Sequence, residues 1–120
     1  MREIRFRGKS LIEQADMDIA EDDWIYGGIS INDERVWIDM DYFGNIAVKP
    51  NTVGQYTGQK DKNGQEIYEG DRVYVASEDE NAFILWDEET ARYIIQFEGW
   101  CADFDNYYGK ELEVIRKHIW

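Results

Sequence analysis

The strongest constraint on this chain is the spacing of its apolar residues. They alternate with polar ones in short runs, cut by turn residues about every 8 to 15 positions. Period-two alternation puts successive side chains on opposite faces of a strand, so each run can bury one face and wet the other. No stretch sustains helical i, i+3, i+4 spacing through three turns. Arg2 to Arg7 sets Ile4 and Phe6 against a charged face and reads as an opening strand. Ser10 to Asp23 mixes Leu11, Ile12, Met17 and Ile19 with six acids and reads as an irregular insertion with a short helical turn. Trp24 to Ile31 and Val36 to Tyr42 flank the polar cluster Asn32 to Arg35, as in a β-hairpin. In its second strand Val36, Ile38, Met40 and Tyr42 share one face, and Trp37, Asp39 and Asp41 share the other. Only the first face suits a core. After the Gly44-Asn45 break, Ile46 to Val48 resumes the strand.

Asn63-Gly64 predicts a tight hairpin turn of type I′, which requires positive φ at both central residues. Gly70-Asp71 then feeds a strand with Val73 and Val75 facing inward. Phe83 to Trp86 and Ala91 to Phe97 follow as paired strands across Asp87 to Thr90, and Leu112 to Ile115 is the last strand. The expected fold is mainly β, a small antiparallel meander or roll with an SH3-like barrel portion in the C-terminal half. A chain of 120 residues suits one domain over 1–120, divided if at all into lobes of about 1–55 and about 56–120.

Composition narrows the partners. The formal charge is −13, concentrated as −9 over residues 13–41 and −8 over 77–105. Such a field disfavours polyanions, so nucleic acid and anionic lipid are not expected partners, and a basic partner or none is the electrostatic default. No stretch approaches the roughly 20 apolar residues of a membrane span. The single Cys101 excludes an intrachain disulfide or a cysteine zinc set, and with no secretory signal read at the start it points to a reducing cytoplasm. Cys101 reads as a small, partly buried side chain beside Trp100.

Candidate chemistry is sparse. The only histidine, His118, sits near the C-terminus, so no base is read beside Cys101. Asp61-Lys62-Asn63-Gly64 has the opening of a calcium loop, but the register that fits Gly64 puts Gly70 where the closing glutamate belongs. No catalytic residue, metal or cofactor is expected. One cluster interleaves cations with aromatics, as single-strand nucleic acid binders do: Tyr56, Lys60, Lys62, Tyr68, Arg72 and Tyr74. It is taken as the candidate binding surface, although Asp61, Glu66, Glu69 and Asp71 offset its charge and favour cross-strand ion pairs.

The stretch Tyr56-Thr57-Gly58-Gln59-Lys60-Asp61-Lys62-Asn63-Gly64-Gln65-Glu66-Ile67-Tyr68-Glu69-Gly70-Asp71 resembles the hallmark motif of the YopX family. These are small proteins encoded by bacteriophages and prophages. The resemblance extends to Met1 to Lys9, Asp23 to Gly27, Trp86 to Tyr93 and Leu112 to Ile115. The long insertion at 10–22 and the ending Arg116-Lys117-His118-Ile119-Trp120 depart from it. The resemblance implies a mainly β fold with an SH3-like portion, working in the bacterial cytoplasm, and it carries no catalytic residues. The expected function is therefore that of a phage or prophage accessory protein that binds a protein partner, or copies of itself, through exposed strand edges or aromatic patches. The alternatives are an acidic decoy for a nucleic-acid-binding host protein and a weak single-stranded nucleic acid binder.

Overall fold

The computed structural model describes residues 4–13, 18–40 and 44–116. Its strands are antiparallel, and the helical segments among the described residues are three-residue 3-10 turns. None is long or apolar enough to cross a membrane. The chain forms two compact units, residues 1–55 and 56–120.

The first unit contains β1 (Phe6–Lys9), β2 (Trp24–Asn32), β3 (Arg35–Met40) and β4 (Gly44–Val48), in the order β4-β3-β2-β1. The first residues of β5 (Gly54–Lys60) add to the far side of β1, with Arg7 opposite Gly54 and Phe6 opposite Gln55. The expected hairpin is β2-β3, with Ile29 opposite Ile38 and Ser30 opposite Trp37. Its core face is the one read from alternation: Ile38 is fully buried with Ile25, Ile46 and Val48, and Val36 and Met40 pack against them. Tyr42 and Asp41 lie outside the described residues.

The sheet curls until the end of β4 meets the chain leaving β1. Ser10 bridges Val48, the Lys49 N–H donates to the Lys9 carbonyl at 2.8 Å, and the Leu11 N–H donates to the Ala47 carbonyl at 2.9 Å. The insertion is anchored by Ser10, fully buried, whose hydroxyl donates to the Ala20 carbonyl and accepts from the Asp23 N–H at 3.2 Å. Ile19 drops into the core while Leu11 and Ile12 stay exposed. The helical turn expected within Ser10 to Asp23 is not found among its described residues, and Met17 lies outside them.

In the second unit the rest of β5 pairs β6 (Glu66–Tyr68), with Tyr56 opposite Tyr68 and a bulge before Lys60 pairs Glu66. Gly58, at φ 93°, takes the bulge. Strands β7 (Arg72–Val75), β8 (Glu80–Asp87), β9 (Arg92–Phe97) and β10 (Trp100–Asp103) form a meander. β11 (Leu112–Arg116) then pairs β7, giving the order β10-β9-β8-β7-β11. Val73, Val75, Ile84, Ile95 and Leu112 fill its core with Ile67 and Phe104.

The fold is mainly β and antiparallel, as expected; among the described residues the second sheet is not closed, β10 and β11 ending it as separate edges. Both are short, and the chain between them is spent on 3-10 turns at Phe104–Asn106 and Gly109–Glu111. The hairpin turn is present but is not type I′. Gly64 has φ 81°, and Asn63 is not among the residues of positive φ. The Gly64 N–H bonds the Asp61 carbonyl at 3.0 Å and the Asp61 N–H bonds the Gln65 carbonyl at 2.8 Å. That is a type I turn ending in a left-handed glycine, the three-residue hairpin loop.

Candidate functional site

The six residues read as a binding surface are distributed between core and surface. Tyr56 and Tyr68 pack together in the interior, their rings tilted with centroids 5.4 Å apart, 6% and 0% exposed, so neither offers a ring face to a base. Lys60 is exposed opposite Glu66. The Lys62 ammonium lies 3.6 Å from a Glu113 carboxylate oxygen, and Glu113 sits across from Tyr74. The Tyr74 hydroxyl donates to Asp79 Oδ1 at 2.6 Å, and this bond to a carboxylate is the main reason its pKa is raised. The Arg72 guanidinium lies 5.8 Å from the Phe83 ring centroid, and its buried Nε has no hydrogen-bond partner. Cations and carboxylates alternate across this surface, the arrangement favoured by cross-strand pairing.

The stretch from Tyr56 to Asp71 is instead built into the scaffold. Asp61, 6% exposed, uses both carboxylate oxygens. Oδ1 accepts the N–H groups of Asn63 and Gln65, each at 2.9 Å, and Oδ2 accepts the Val114 N–H at 2.8 Å. One side chain thereby shapes the hairpin turn and fastens it to β11. The Thr57 hydroxyl donates to the Ile67 carbonyl at 2.7 Å. Asp71, fully buried, accepts the Tyr68 N–H at 2.8 Å, while its backbone carbonyl accepts the Ile84 N–H at 3.0 Å. These groups satisfy backbone donors that a tight turn would otherwise leave unpaired.

Cys101 also differs from expectation. It is exposed, because the β9-β10 register sets it opposite Gln96 on the side of the sheet away from the core. Trp100 faces the other way and stacks on Phe97 at 4.0 Å.

An apolar concavity of about 400 Å3 lies on the first unit beside β3 and β4, lined by Val36, Trp37, Ala47, Val48 and Pro50, with Glu34 and Arg35 at its polar end. Trp37 stands opposite Ala47 in the β3-β4 ladder and opposite Ser30 in β2. Its other neighbours on that face include Asp39 and Asn45, so β2, β3 and β4 set no second large apolar side chain directly beside it. The bond from the Leu11 N–H to the Ala47 carbonyl lays the insertion beside this tryptophan. Leu11 and Ile12, 46% and 55% exposed, form the far wall. Trp37 also lines an adjoining open depression with Asn32, Asp33, Glu34 and Arg35.

Alternation assigned Trp37 to the face unfit for the core. The other wall had no sequence signal, because residues 11 and 12 belong to an irregular insertion placed by bonds to β4.

No curated protein matches this sequence. The family model described as YopX protein matches residues 6–116, covering the Tyr56 to Asp71 scaffold and the groove wall alike. The chain is therefore a member of the YopX family.

Proposed function

We propose that this protein works by binding a protein partner through the groove around Trp37, as an accessory protein of a bacteriophage or prophage in the bacterial cytoplasm. The observation that carries the reading is the apolar groove itself. Leu11 and Ile12 are exposed and Trp37 is only half-buried, although the core of the same unit lies beneath β3. Exposed aliphatic and aromatic side chains that converge on one concavity are typical of recognition sites, whereas scattered ones carry no such meaning. A second copy is a poor occupant, because it would bring −13 against −13.

The test is site-specific cross-linking. A photoreactive residue replaces Ile12 in the groove wall, or Glu88 in the exposed β8-β9 loop as a control, and the protein is irradiated in bacterial lysate. A discrete heterologous adduct from position 12 and not from position 88 is the expected result. Identical adducts from both positions, an adduct of twice the chain mass, or none at position 12 would each overturn the reading.

A further inference from the structure

The groove has an electrostatic side that its apolar lining does not express. At the β2-β3 turn Asp33 and Glu34 are both exposed, and Arg35, the single cation in the depression that shares Trp37, lines the groove as well, as does Glu34. One strand residue pair further on, Asp39 is exposed on the same face as Trp37. These four charges sum to −2. Glu13, exposed at the end of the described insertion segment, adds a further negative charge next to Ile12. Lys49, next in sequence to Pro50, is occupied by ion pairs with Asp22 and with Glu21, the latter at 3.5 Å. Apolar floor and acidic rim thus meet at the indole of Trp37, whose negative π face attracts cations in its own right.

We infer that the occupant of this groove is a basic amphipathic segment of the partner, with aliphatic or aromatic side chains seated between Ile12 and Trp37 and Lys or Arg side chains over Trp37, Asp33 and Glu34. This rests on the groove being the binding site. Three independent properties of the surface select the same chemistry. The concavity takes carbon. The turn beside it takes positive charge. The field of the whole molecule repels an acidic segment before it docks, which raises the encounter rate of a basic one. Asp33 stands at the turn in a left-handed conformation, φ 56°, which aspartate tolerates better than most residues.

The test uses two synthetic peptides that share one pattern of Leu and Phe and differ only at the polar positions, Lys and Arg in one and Glu in the other. Each is titrated into the isotopically labelled full chain, following the Trp37 indole and Ala47 resonances. The basic peptide should shift both and bind at least about tenfold tighter than the acidic one. Its affinity should weaken as salt shortens the Debye length from about 10 Å to about 3 Å. The double variant Asp33→Asn, Glu34→Gln keeps the turn, because Asn also tolerates the left-handed region, and should lose about fivefold or more in affinity for the basic peptide. Trp37→Ala should abolish the shifts at Ala47.

Equal affinity of both peptides at the groove would overturn the basic partner and leave the groove standing. Shifts spread over the acidic loops of both units, unchanged by Trp37→Ala, would mean a polyanion attracting a polycation, and would overturn the inference. No shift in the groove with either peptide would overturn both this inference and the binding site it rests on.

Discussion

At the scale of single residues, the decisive side chains are polar and buried. Asp61 accepts three backbone N–H groups, two in its own turn and one from β11. An amide in its place would aim an NH2 at one of those donors and leave both unsatisfied, at about 1–3 kcal/mol for each group lost. Asp61→Asn should therefore lower unfolding free energy by about 2–3 kcal/mol in a urea titration, and a change under about 0.5 kcal/mol would refute this role. Two tyrosines give the alkaline limit. Burial, and then Glu78, Glu111 and Glu80, raise the Tyr107 pKa above its ordinary value of 10.0; the bond to Asp79 does most to raise that of Tyr74. Both phenols hold their protons more tightly when folded. Their contribution is complete below the unfolded pKa and is lost as pH climbs through the folded one. Stability should fall above about pH 10, and Tyr107→Phe should make that fall shallower when unfolding is followed by circular dichroism across the alkaline range.

At the scale of elements, the loops show how strand direction is reversed at a cost. The β8-β9 hairpin closes with Asp87 opposite Arg92, and Ala91 takes φ 52° in between. An L-residue with a Cβ gains nothing there, since no polar side chain compensates the left-handed conformation. Ala91→Gly should raise stability by about 0.5–1 kcal/mol, the relief of strain exceeding the added freedom of the unfolded chain. A lower melting temperature for this variant would refute the expectation. The opposite situation holds at Gly109, where a Cβ would come 1.9 Å from the Lys60 carbonyl oxygen. Here glycine is needed for close approach of two backbones. The turn at Asp61 to Gly64 belongs to the same scale. Its position was legible in Asn63-Gly64 because turn dihedrals are local. Its type was not, because the Asp61 carboxylate takes the Gln65 N–H and leaves Asn63 in an ordinary conformation.

At the scale of the whole molecule, a charge of −13 on 120 residues works against compactness. Most of the acids fall in residues 13–41 of the first unit and 77–105 of the second, where Lys49 pairs with Asp22 and Glu21 and Arg92 with Asp103. Screening should relieve this. Raising sodium chloride until the Debye length drops to a few ångströms should stabilise the fold by about 1 kcal/mol, read as an upward shift of the thermal midpoint. A flat or falling midpoint would show that attraction between unlike charges outweighs the repulsion. Most strands, the faces of β3 and β7, the turn positions and the family membership were present in the amino-acid order, since period-two alternation and backbone dihedrals depend on near neighbours; the opening strand, read over Arg2 to Arg7, is Phe6–Lys9 with Ile4 exposed, and β10 was not read. Tyr56 and Tyr68 could not be assigned that way: tyrosine suits core and surface equally, and only the pairing of β5 with β6 put both rings inside. The bond from Asp61 to Val114 spans 53 residues, and the groove brings Leu11 and Ile12 to Trp37 through β4. Contacts between distant segments are chosen by how the sheets curl and where they stop. Only the tertiary structure decided those.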